Sequence, residues 1–158
     1  MANTQSMCTS FMGELMTATH NFGTAPTRGT SAADTFKAAL FLASATIDAS
    51  TTAYSATGEV SGSGYTAGGI AVTAATPPTA TNASATAGVA FFTPSASLVY
   101  TSVTLTTAFD AVLIYNSSQS NKAVSVHTFG SQTITAGTFT LTMPTNNTTD
   151  ALLRLATT

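Results

Sequence analysis

Charge is what this chain has least of. Four basic and six acidic residues are spread over 158 positions, 6% of the sequence, against roughly 25% in an ordinary soluble domain. A freely diffusing monomer keeps charges on its surface for solubility, so this sparse complement implies that much of the surface is covered by contacts, as in a repeating assembly. The basic residues, Arg28, Lys37, Lys122 and Arg154, are scattered. That excludes the clustered Lys and Arg with which a protein neutralises nucleic-acid phosphates. Tryptophan is absent and Cys8 is the single cysteine, which excludes an intrachain disulfide, a multi-cysteine metal site and an antibody-type core. No run of about 18 apolar residues occurs, and the N-terminus lacks a basic region followed by an apolar core. Neither a membrane span nor a signal peptide is expected, and synthesis in a cytoplasm is the expectation.

What is present is apolar and hydroxyl-rich. With 44% hydrophobic residues, the chain is too apolar for disorder and long enough for one domain with a sizeable core. Asn3 or Thr4 can cap a helix on which Met7, Phe11 and Leu15, and Met12 and Met16, recur at intervals of four; it should end before Gly23 and Pro26. A methionine-rich stripe adapts to irregular surfaces, so Met7, Phe11 and Leu15 are candidates for contact with a neighbouring subunit, the alternative being packing on the chain's own sheet. Gly23 to Ala33 reads as a loop.

Short strands follow. Phe36 to Leu42 is apolar at almost every position, as a strand buried on both faces would be. Ile47 to Ser55 reads as a polar loop, and Ile70 to Thr73 as a short strand stopped by Pro77-Pro78. Thr79 to Ala87 is a low-complexity loop, and Gly88 to Thr93 a strand closed by Pro94. Leu98 to Thr106 alternates with a period of two, Leu98, Tyr100, Ser102, Thr104 and Thr106 against Val99, Thr101, Val103 and Leu105. Ala111 to Tyr115 reads as a central strand, Asn116 to Asn121 as a hairpin connection, and Val124 to Phe129, Ile134 to Met143 and Leu152 to Leu155 as further strands. Eight or nine short strands, one helix and no βαβ alternation predict a mainly β chain, a single β-sandwich or jelly-roll-like domain. The expected division is an N-terminal helix and arm over 1–26 and a β-sandwich body over 27–158.

Between Glu59 and Gly69 the chain places Gly62, Gly64, Gly68 and Gly69 around Tyr65. Asp34-Thr-Phe-Lys-Ala-Ala-Leu40, a Ser/Thr-rich loop, and then Glu59-Val-Ser-Gly-Ser-Gly-Tyr-Thr-Ala-Gly-Gly69 resemble a family of small virion structural proteins of tailed bacteriophages. Ala108 to Tyr115 and Phe129-Gly130 carry a weaker likeness to the same family. The resemblance implies a short N-terminal helix, a β-strand body and a place on a virus particle. Within it the expectation is a capsid decoration or cement protein, made in the bacterial host cytoplasm and located on the virion. It would contact other virion proteins, the major capsid protein first, as a symmetric homo-oligomer or multi-copy assembly. A neck, tail or fibre component is the alternative, and a carbohydrate-binding adhesion module is the alternative from another class. Either would favour exposed loop aromatics, for which Tyr54 and Tyr65 are the candidates, whereas the glycine block read by itself is a tight turn with Tyr65 anchored in the core or at a subunit contact.

The chemical motifs point away from catalysis. The block Gly62 to Gly68 lacks the Lys-Ser or Lys-Thr pair of a phosphate loop, and Ala67 stands where a dinucleotide fingerprint needs its third glycine. His20 and His127 have no third ligand at metal-binding spacing, and no G-x-S-x-G elbow occurs. Glu14, Asp34, Asp48, Glu59, Asp110 and Asp150 are far apart in sequence. No catalytic residue, metal or cofactor is therefore expected. The sequons at Asn82, Asn116 and Asn147 read as turn residues.

Overall fold

The structure, a computed structural model, describes residues 3–16, 19–22, 33–73, 78–81 and 88–156. It is mainly β, with two antiparallel sheets and one short helix in a sandwich-like arrangement. The larger sheet has the order β1-β7-β6-β2-β3, from β1 (Ser6–Met7), β7 (Lys122–Leu141), β6 (Leu98–Asn116), β2 (Phe36–Leu42) and β3 (Ile70–Val72). The smaller has β4 (Thr79–Ala80), β5 (Val89–Phe92) and β8 (Leu153–Ala156), with β5 in the middle. The expected loops over 23–33 and 79–87 and the sequon at Asn82 fall largely or wholly outside the described residues.

Two expected pairs of strands are each one long strand. Leu98–Asn116 and Lys122–Leu141 form a single hairpin, paired from Leu98↔Leu141 to Asn116↔Lys122. The alternation over Leu98 to Thr106 does not run through, because Ser102 takes a positive φ of 54° and the register shifts between Tyr100 and Val103. An extra residue in a ladder moves the following side chains to the other face. Leu98, Tyr100, Val103 and Leu105 are consequently all buried, although their spacing puts them in opposite rows of a regular strand. Ala136, at φ 48°, marks the answering irregularity on β7, and the register recovers.

The N-terminal helix is shorter than its sequence pattern suggests. α1 spans Thr9–Met16, and the residues before it are extended, with Ser6 and Met7 paired to Val126 and Ser125. Asn3 caps nothing. Its amide donates to the Leu42 carbonyl at 3.1 Å and to Asp110 Oδ1 at 2.6 Å, and its Oδ1 accepts from the Ile47 N–H at 3.2 Å. Three contacts, to β2, to β6 and to the loop after β2, outweigh one capping bond.

One core joins both sheets and the N-terminal segment. Phe22 lies between them, stacked on Phe36 of β2 at 4.3 Å between ring centroids and tilted against Phe92 of β5 at 4.9 Å. Cys8, Phe11 and Phe22 belong to the same buried cluster as Leu40, Leu113 and Val124.

Candidate contact sites

The three residues of the helix stripe come together. Met7 of β1 and Phe11 and Leu15 of α1 form one side of an apolar cleft of about 80 Å³, and Phe91, Leu153 and Leu155 of the small sheet form the other. Leu155 is 43% exposed, while Met7 and Leu15 are half-buried. Phe11 is a different case. It is 2% exposed and rests on His20 at 4.9 Å, so it belongs to the chain's own core and offers no free surface to a neighbour. The stripe thus divides by depth, with Phe11 as floor and Met7 and Leu15 as rim.

A polar clasp holds the helix wall in place. His20 Nε2 meets Glu14 Oε2 at 2.7 Å, and Lys122 donates to Glu14 Oε1. The other ring nitrogen, Nδ1, lies 3.1 Å from the Asn116 amide nitrogen, which also donates to Asp34 Oδ2 at 2.8 Å. Because Asn116 Oδ1 accepts from the Ser118 N–H at 3.1 Å, the amide nitrogen is the donor towards His20. That makes Nδ1 the acceptor and directs the Nε2–H at Glu14. Burial pushes the Glu14 carboxyl up, but the hydrogen bonds from Lys122 and His20 outweigh it and leave the pKa below the usual range.

Tyr54 and Tyr65 converge on Glu59. Tyr54 donates to Glu59 Oε2 at 2.6 Å, and Tyr65 and the Gly68 N–H donate to Oε1, each at 2.7 Å. Tyr65 Oη also accepts from the Leu40 N–H at 3.0 Å. The remaining two tyrosines close the group: Tyr115 donates to the Gly68 carbonyl and Tyr100 to the Ala38 carbonyl, both at 2.8 Å, with Tyr54 stacked on Tyr115 at 4.6 Å. Burial first, and then the hydrogen bond to Glu59, hold the Tyr54 and Tyr65 phenols far above their usual pKa. Both side chains are half-buried and their hydroxyls are engaged within the chain. These rings lock the loop onto β2 and β6.

The glycine block is part of the same lock. Gly64 takes a φ of 78°, and a side chain there would bring its Cβ to 2.2 Å from the Ser102 carbonyl oxygen. Backbone contact is close because Ser63 bridges Thr104, whose N–H donates to the Ser63 carbonyl at 2.8 Å. The bulge at Ser102 and the glycine block thus meet at one seam. No motif marks Phe22, and the sequence signal for the Glu59 hub is only that Glu59 is the one carboxylate beside the glycine block.

Other reactive side chains are enclosed. Cys8 is fully buried, and its thiol is pushed up to about 11, by burial first and then by Asp48 and Glu14. Ser125 Oγ lies 2.8 Å from His127 Nε2 on the same face of β7, but Ser125 is 1% exposed, which makes it a packing partner of the ring. Burial pushes His127 down to about 4. Among the described residues no group of three or more His, Cys, Asp or Glu is arranged to hold a metal ion, and no helix is long and apolar enough to cross a membrane. Comparison with protein-family models, with curated proteins and with solved structures found no match.

Proposed function

We propose that the chain is a structural protein of a bacteriophage particle, a decoration or cement subunit that strengthens the shell by adding contacts between its subunits. The observation that carries the reading is the wholly apolar cleft between α1 and the small sheet, set in a chain with so few charges. The motif resemblance of Asp34 to Leu40 and Glu59 to Gly69 supplies the virion setting. The occupant is an apolar segment of the major capsid protein, seated between Leu15 and Leu155. No charge on either wall has to be desolvated when such a segment enters, and apolar burial contributes about 25 cal/mol per Å² before association costs. A subunit that binds only the assembled lattice stabilises that lattice by mass action, without chemistry.

The test is a cryo-electron reconstruction of particles carrying the chain, paired with sedimentation of purified wild-type and Leu155→Glu protein with shells. Density tiling the capsid, and a variant that melts normally but stays in the supernatant, are the expected results. Density confined to the neck, tail or a fibre would move the role to attachment or connection. Absence from the particle would overturn the virion reading altogether.

A further inference from the structure

β7 has two edges, and one of them is nearly bare. β6 pairs with it along its whole length, whereas β1 covers the opposite edge only at Ser125 and Val126. Among the described residues no strand lies beside Thr128 to Leu141 on that side. Long exposed edges are usually protected by lysine, proline or brevity. None of these protects this one. No Asp, Glu, Lys or Arg occurs between Lys122 and Asp150, and no proline occurs before Pro144. The positive-φ irregularity at Ala136 breaks the edge, but beyond it the register is regular, with Tyr100↔Phe139, Val99↔Thr140 and Leu98↔Leu141.

That outer segment reads Thr138-Phe139-Thr140-Leu141-Thr142, a pattern that is the same in both directions when Phe and Leu are taken as equivalent. We propose that it is a self-pairing seam, at which β7 of one copy lies antiparallel to β7 of a second copy about a two-fold axis at Thr140. In that register Thr140 faces its own equivalent, Thr138 faces Thr142 of the second copy, and Phe139 faces Leu141. Threonine pairs with threonine on one face and apolar with apolar on the other, the combinations that stabilise neighbouring strands. Thr138, Thr140 and Thr142 are exposed. Val99, the ladder partner of Thr140, is 42% exposed, one of three large apolar residues so exposed among those described, and it lies next to the proposed axis. The second copy is favoured over an unrelated strand because the segment complements itself and carries no charge that would repel its like. A two-fold contact of this kind uses the edge on both copies and closes, giving a dimer with a continuous sheet across the seam. The inference goes beyond the virion reading and does not depend on it.

Sedimentation velocity of the purified chain tests it. The wild type should convert from 15.9 kDa to twice that mass as concentration rises, and Thr140→Lys, which places two ammonium groups at the axis, should remain monomeric with an unchanged circular dichroism spectrum. Should Thr140→Lys fail to fold, Thr140→Cys decides. Mild oxidation should crosslink it to a covalent dimer, Cys8 being buried, whereas Thr133→Cys on the inner part of the same edge should crosslink far less. A wild type that is monomeric at every concentration, a dimer indifferent to Thr140→Lys, or a Thr140→Cys variant that crosslinks no better than Thr133→Cys would each overturn the seam. A monomer that still sediments with shells would sink the seam and leave the virion reading standing.

Discussion

The two halves of β7 are built from one strand and yet live in different surroundings. Near the hairpin turn, Ala123, Val124, Ser125 and Val126 are all buried, with β1 on the outer edge and α1 close by. Beyond Phe129 the same strand shows Ser131, Thr133, Thr138 and Thr140 to solvent and keeps Ile134, Phe139 and Leu141 half-buried on the other face. Among the described residues the first half is covered on both edges and the second is not. What separates them is the N-terminal segment, because Glu14 and His20 tie it to the turn end of the hairpin, Asn3 to Asp110 in the middle of β6, and Phe22 to the gap between the sheets. Closure of the sheet is thus a tertiary event supplied by a segment distant in sequence.

Breaking the closed half should cost most. Phe11→Asp puts a carboxylate among Phe22, His20 and the cleft floor, where an unpaired charge costs more than about 4 kcal/mol; loss of the cooperative melt is expected, and a wild-type melting temperature would show that the helix is not docked. Next is the seam that braces β6 in the open half. Gly64→Val has to hold a β-branched residue at φ 78° and 2.2 Å from the Ser102 carbonyl, at a cost of roughly 2–4 kcal/mol. A denaturation midpoint equal to the wild type would show that the glycine block does not clamp the strand.

The third prediction uses pH to probe where the halves meet. His127 is held neutral in the fold, down to about 4 from an ordinary 6.5. Its contribution is therefore present above pH 6.5 and lost as pH falls towards 4, since the unfolded chain takes up the proton first. The loss amounts to at most about 3 kcal/mol. Stability measured across that window should fall more steeply for the wild type than for His127→Gln, and parallel curves would remove His127 from the account. The smallest effect belongs to the boundary glycine. Nothing lies within 4 Å of a Cβ built at Gly130, and its φ is not positive, so Gly130→Ala should raise stability by about 0.5 kcal/mol through the unfolded chain alone. A loss of more than that by chemical denaturation would mean that the turn from closed to open half needs glycine.

Much of this architecture was legible in the residues. Phe36 to Leu42 reads as a strand buried on both faces because nearly every position is apolar, and it is one; in the glycine block around Tyr65, Gly64, Gly68 and Gly69 take the positive φ that glycine reaches without steric cost. The long hairpin was not legible. Its irregularities at Ser102 and Ala136 use non-glycine residues in positive φ, which carry no compositional mark, and a break in the period of two looks in sequence like the end of a strand. The helix start misled for a related reason, since Asn3 suits a cap and a sheet tether equally well and long-range partners decide between them. Of the candidate contacts, Met7 and Leu15 reach a cleft rim, Phe11 is buried beneath them, and Tyr54 and Tyr65 are half-buried with their hydroxyls on Glu59.

The class of structure and the character of the surface follow from the residues alone. Short apolar runs separated by turn residues make strands, and a chain with four basic and six acidic residues cannot cover itself with charge. Tertiary structure alone decided which residues share a site: that all four tyrosines surround one carboxylate, that Phe22 joins two sheets, and that one end of a strand is closed while the other is open. Local pattern reports the period of an element and the polarity of its faces, whereas proximity across tens of residues is set by register, bulges and the packing of distant segments.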